Sequence, residues 1–314
     1  MTLAFALICY GSAVAVFGPP VLRRLTRRGS APRLGVLAWL VAIAGALGAW
    51  VAATVVLVVE FAAFWDHPVD ALRACLAMLS APAHVHGGTA VQVSAFAVAA
   101  VVAAGSGGVL LRAGHLVLRL QRSTRAHGRA VRIVGRRVPG VAALVLDSPE
   151  RQAYCVAGRP DTIVVTSAAL DALTGPQLNA VLAHERAHLT GKHPYLMAVL
   201  RGLATALPVG LFTEGAAQIG RLLEMCADDR AAREHGPESL LGGLLAFAGG
   251  AAVPVGALGA AGTAVLARAE RLADPVSRIR LATNRTALLA VIAVTVGGLL
   301  EVALGIFFCS TIFG

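Results

Sequence analysis

Apolar residues gather in long unbroken runs separated by short charged stretches. The runs cover about residues 3–19, 35–63, 90–111 and 287–309. About 20 apolar residues suffice to cross the hydrocarbon core of a bilayer, so each run predicts a membrane span. Between the third and fourth runs the pattern changes. Val, Ile and Thr alternate with other residues near 131–135, 141–147, 153–157 and 162–166, which predicts short strands, and "AGRPD" offers a turn between the last two. "TGPQLNAVLAHERAHLTG" then predicts a helix: Thr174 can cap it, Pro176 suits its first turn and Gly191 can end it. A second helix is expected over about 219–234. The expected fold is therefore a multi-pass α-helical membrane protein with an inserted α+β domain. Three spans lie in 1–112, the polar domain in 113–285 and a fourth span in 286–314.

Two further apolar stretches, 195–212 and 240–267, complicate this count. Arg201 and Pro208 interrupt the first, and Ala and Gly dominate the second.

Composition supports the membrane reading, since 57% of the 314 residues are hydrophobic and only 14% are charged. The net charge of +10 comes almost wholly from arginine, with Lys192 the single lysine. Its distribution sets an orientation. Arg23, Arg24, Arg27, Arg28 and Arg33 follow the first run; Arg112, Arg119, Arg122, Arg125, Arg129, Arg132, Arg136 and Arg137 follow the third. The 64–89 loop carries Asp66, Asp70 and a single Arg73. The positive-inside bias then places the 20–34 loop and the polar domain in the cytoplasm, with the 64–89 loop and both termini outside. Direct nucleic-acid binding is not expected, because only 5% of residues are aromatic and none interleave with the arginines. The N-terminal run has no basic stretch before it and reads as a retained span, not a signal peptide. The five cysteines are scattered without a CxxC pair, which argues against a disulfide framework and a thiolate metal site.

Residues 184–188 read "HERAH", a match to H-E-x-x-H. Positions i and i+4 share a helix face, so His184 and His188 can both aim a ring nitrogen at one Zn²⁺. Glu185 lies beside them and is free to move protons. A catalytic zinc takes a third protein ligand, and "LLEMCADDRAA" supplies Glu224. Asp228, one turn later on the same face, can hydrogen-bond a ligand histidine and fix its tautomer. Together these give a gluzincin arrangement with one Zn²⁺ per chain. If 195–212 crossed the bilayer, Glu224 would lie opposite the two histidines, so that stretch is expected to be buried, re-entrant or membrane-lying. The 240–267 stretch is expected to join it in roofing the site. A strand near 153–157 or 162–166 can offer an edge to an extended substrate. Arg278, in "DPVSRIRL", is a candidate for steadying the oxyanion and reads equally as a membrane-surface charge; His193 and His235 are alternative donors. Glu60 and Glu301 lie within apolar runs, the first near an outer end and the second deeper. His67, His84 and His86 read as loop residues, and "AGSGG" at 104–108 as a close-packing stretch.

The stretch "DTIVVTSAALDALTGPQLNAVLAHERAHLTGKHP" with "EMCADDRAA" resembles the membrane metallopeptidases of the Bla/Mec antirepressor type. A more distant likeness is to the HtpX-type and CAAX-prenyl proteases. The resemblance implies a membrane zinc endopeptidase with His184, His188 and Glu224 as ligands, Glu185 as base and Asp228 behind them. It implies a protein or peptide substrate, such as a transcriptional repressor, cut in regulatory signalling. The penicillin-binding sensor domain of the Bla/Mec type is not expected, because the chain ends at Gly314. Two other functions fit the same pattern: a membrane-protein quality-control protease, and a zinc-stabilised signalling scaffold without activity. The scaffold has no use for Glu185.

Overall fold

The computed structural model describes residues 2–63, 89–248, 260–274 and 277–313. Helices α1 (Thr2–Thr26) and α2 (Pro32–Ala63) form an antiparallel hairpin. A long α3 (Thr89–Val134) leads into strands β1 (Arg136–Arg137), β2 (Leu144–Leu146), β3 (Ala153–Val156) and β4 (Thr162–Thr166). Then follow α4 (Ser167–Ala172), α5 (Gly175–Thr190), α6 (His193–Ala206), α7 (Gly210–His235), α8 (Pro237–Ala248), α9 (Ala260–Ala273) and α10 (Arg278–Phe313).

Among the described residues, three helices are long and apolar enough to cross a membrane, over Leu3–Thr26, Pro32–Val59 and Arg278–Val302. The third apolar run falls in the first half of α3, where most side chains lie outside the described residues, as does the 64–88 part of the expected outer loop with His67, His84 and His86. Helix α1 runs through Pro19 and Pro20, beyond the expected end of the first run. Small residues let the hairpin close: Ala42, Ala46, Ala49 and Ala53 of α2 are buried at helical spacing and face Ala4, Leu7 and Ala15 of α1. Tyr10 donates a hydrogen bond to the Thr295 carbonyl, joining α1 to α10.

The sheet order is β1-β2-β4-β3, with β2 and β4 parallel and the other pairs antiparallel. Alternation sorts the side chains. Cys155, Ile163 and Val165 face Leu182 of α5, while Val156 and Val164 face Val131 of α3. The strand expected at 131–135 is instead the last turn of α3. Val131 is buried against the sheet, so tertiary packing outweighs the β-branched bias of that stretch.

The apolar stretch 195–212 does not form one helix. The chain breaks at 207–209 and reverses between α6 and α7. Met197 of α6 lies over Gly220 of α7, so the two helices run antiparallel. The first turns of α7 pack against the α1–α2 hairpin, while Pro208 and Val209 of the connection are exposed. Phe212 meets Trp50 with ring centroids 6.1 Å apart, and Gly215 lies under Trp39 and Ile43. Helix α7 therefore starts well before residue 219, because its apolar first half is needed in this core. The 240–267 stretch holds α8 and the start of α9. Leu240 and Leu244 of α8 pack on Ala180 and Ala183 of α5 and Ala231 of α7.

Candidate metal centre

Helix α5 carries the first three residues of the site. Gln177 accepts a hydrogen bond from the Thr174 backbone N–H at 3.0 Å, which fixes the helix start. Gly191 closes the other end, its N–H bonded to the Ala187 carbonyl. Ala180, Val181, Leu182, Ala183 and Ala187 bury the rest of the helix, and this locks the direction in which His184 and His188 point.

The two imidazoles meet with their Nε2 atoms 3.1 Å apart. Glu224 reaches them from α7, with Oε2 3.4 Å from His184 Nε2 and Oε1 3.5 Å from His188 Nε2. A tetrahedral ion with bonds of 2.0–2.1 Å holds its ligand atoms about 3.3 Å apart, so the triangle has the right size. The tautomers agree. His184 Nδ1 lies 3.1 Å from Asp228 Oδ1, and His188 Nδ1 lies 2.9 Å from His193 Nδ1. Protons assigned to the two Nδ1 atoms leave both Nε2 lone pairs converging on the carboxylate. Three such donors repel one another unless a cation sits among them, either a proton on His184 or a metal ion. The residues therefore fit a divalent ion.

Electrostatics point the same way. Burial alone would lower the His184 pKa, but the Asp228 and Glu224 carboxylates outweigh it and raise it to about 9. The site welcomes positive charge at that ring. His188 is pushed down to about 4 by burial, and is neutral and ready to coordinate. The Glu224 pKa is lowered despite burial, by His184, His188 and Arg268. Burial raises Glu185 to about 7, with Glu224 adding to the rise, a range suited to taking and giving a proton.

Asp228 is fully buried. Its approach to His184 Nδ1 is close but off the N–H direction, so that nitrogen has no linear hydrogen-bond partner. The other side of Asp228 is gripped by Arg268 of α9, through Nε to Oδ2 at 2.8 Å and Nη2 to Oδ1 at 2.6 Å. Arg268 Nη1 also lies 3.3 Å from Glu224 Oε2.

The structure brings His184, Glu185, His188, Glu224, Asp228 and His193 together. It does not bring Arg278 there. That side chain is exposed at the start of α10, and Arg268 holds the place beside Glu224 instead. His235 is exposed at the far end of α7. Two site residues escape the sequence reading. Arg268 lies between Ala267 and Ala269, and nothing local ties it to Asp228. Cys155 looks like a small apolar residue, yet its strand position turns it toward Glu185; burial and that carboxylate raise its pKa to about 12. A cleft of about 440 Å³ opens beside the triangle, lined by Leu120, Cys155, His188, Met197, Leu223 and Glu224 among others.

Among known families, the model of Peptidase family M48 matches residues 118–292, more than half of the chain. No curated protein and no solved structure matches it.

Proposed function

Because the chain belongs to peptidase family M48 and is thereby a metallopeptidase, we propose that it is a zinc-dependent endopeptidase seated in a membrane, which cuts a protein segment at the cytoplasmic surface. The observation that carries this reading is the triangle of His184, His188 and Glu224 with Glu185 beside it. A zinc ion held there supplies Lewis acidity toward a peptide carbonyl and a water molecule. His184 and His188 would hold the ion as neutral rings, and Glu224 would add one negative charge. Glu185 accepts the proton of the attacking water and returns it to the departing amine. Strand β3 is the sheet edge nearest the site, whereas β4 lies inside the sheet, so an extended substrate pairs along β3. The apolar walls of the adjoining cleft receive a side chain next to the cut.

The membrane placement is supported by the three apolar helices and by the arginines at the α1–α2 loop and on α3. The α6–α7 hairpin would then dip among the spans as a re-entrant element, its flanking Leu211 and Phe212 packed in protein while Pro208 and Val209 at the tip stay exposed. Glu224 would sit level with the α1–α2 loop, at the membrane surface. The resemblance to the Bla/Mec type supports a regulatory role, with a repressor-like protein as substrate.

The test is metal analysis and peptide cleavage on the purified chain and on Glu185→Gln. One zinc per chain is expected in both. Cleavage should fall roughly 10²–10⁴-fold in the variant, the usual contribution of a positioned acid–base group. Undiminished cleavage by Glu185→Gln would remove Glu185 from the chemistry.

A further inference from the structure

A second cleft, of about 860 Å³, lies away from the metal centre, where the α1–α2 loop meets the end of α9 and the start of α10. Its charged lining is Arg27, Arg28, Arg271, Arg280, Glu270 and Asp274. Arg271 is already committed: it donates to Asp229 Oδ1 at 2.6 Å and to the Gly29 carbonyl at 3.0 Å. Among the described residues Arg27, Arg28 and Arg280 form no ion pair. Three guanidiniums set against two carboxylates leave one positive charge. That matches a monoanionic phosphodiester better than a doubly charged free phosphate. Guanidinium forks suit phosphate oxygens.

We propose that this cleft binds the phosphodiester of a phospholipid head group. The proposal rests on the membrane reading given above, because the ends of α1, α2 and α10 then lie at head-group level. Basic pockets between spans on the cytoplasmic side are the natural seat for such groups. An amino group on the same lipid would face Glu270 and Asp274.

The place of the cleft gives it a consequence. Met225 lines it and is the neighbour of Glu224. Gly29, with φ of +58°, is pressed so closely on Met225 that a Cβ would fall 2.1 Å from its sulfur. Arg271 lies one turn from Arg268, and Arg221, one turn before Glu224, donates to the Thr26 carbonyl at 2.7 Å and the Arg27 carbonyl at 3.0 Å. The loop that forms one wall of the lipid site is thus clamped to α7, which carries Glu224, and to α9, which carries Arg268.

The test uses the full chain in detergent, stripped of lipid and titrated with phosphatidylglycerol or with diacylglycerol of the same chains, read by native mass spectrometry. Phosphatidylglycerol should be retained and diacylglycerol lost. Removing three of the cations that line the cleft, Arg27→Gln with Arg28→Gln and Arg280→Gln, should weaken retention about a hundredfold, at about fivefold per charge. Arg280→Gln alone, which leaves the loop arginines that orient the hairpin, should weaken it about fivefold. Asp274→Asn should strengthen it, a sign that a merely damaged fold would not give. Zinc affinity, from competition with a chromophoric chelator, should rise about fivefold or more with phosphatidylglycerol in the unaltered chain and not in the triple variant. Equal retention of both lipids, or displacement of phosphatidylglycerol by inorganic phosphate at millimolar level, would overturn the proposal while leaving the chain a membrane metallopeptidase. Failure of the chain to enter membranes at all would instead refute the membrane reading beneath it.

Discussion

Glu224 and Asp228 lie one turn apart on α7 and do different work because of what faces them. Glu224 meets two imidazoles and is partly open to the cleft. Asp228 has no exposed surface and meets a guanidinium. The spacing of His184, His188 and Glu224 could be read from the chain because helix geometry alone puts the first two together. Arg268 could not, since its link to Asp228 spans 40 residues and depends on how α9 packs. That link carries a prediction. Asp228→Asn leaves buried Arg268 with only its longer contact to Glu224, and Arg268→Met leaves buried Asp228 without its guanidinium. Each should cost about 3 kcal/mol of stability. Each should also lower zinc affinity roughly 10–100-fold, since Asp228 orients His184. The double variant should lose less stability than the two singles added together. Thermal melts and chelator competition on the four proteins measure this; strict additivity would mean the pair does not act as a unit.

Helix ends were legible where side chains mark them and obscure where only packing does. Helix α5 starts and stops as Thr174, Pro176 and Gly191 predict. The start of α7 was hidden, because Val209 caps it without a side-chain hydrogen bond inside an apolar stretch. Two turn residues share one backbone state with opposite prospects. Lys192, between α5 and α6, has φ of 53°, and Gly29, between α1 and α2, has φ of 58°. The left-handed state costs a residue with a Cβ about 1–2 kcal/mol. Lys192→Gly should therefore stabilise the chain by up to about 1 kcal/mol, once the extra freedom of glycine in the unfolded state is deducted. Gly29→Ala should destabilise it by more than that, because its Cβ also collides with Met225. Paired thermal melts give the signs; two shifts in the same direction would contradict the argument.

Across the whole molecule, the polar segment 113–285 reads as an insertion between spans, yet part of its core is shared with the hairpin. One buried cluster joins Leu22, Trp39 and Ile43 of the hairpin to Leu211, Phe212, Ile219 and Leu222 of α7. The sequence was silent on this because an apolar stretch has the same composition whether it faces lipid or protein. Only the demand that Glu224 reach the histidines signalled that 195–212 could not cross. Cut away from the hairpin, the large apolar side chains that α7 puts into that cluster would face water, at a cost of about 1.5–3 kcal/mol for each one fully buried in the whole chain. Residues 113–285 expressed alone should accordingly be insoluble and bind no zinc, and supplying residues 1–63 as a separate chain in the same membrane should restore metal binding. A soluble 113–285 fragment that takes up one zinc with the affinity of the full chain would show that α7 holds Glu224 in place without the hairpin. The loop clamp through Arg221 and Arg271 would then be an attachment and no support for the metal centre.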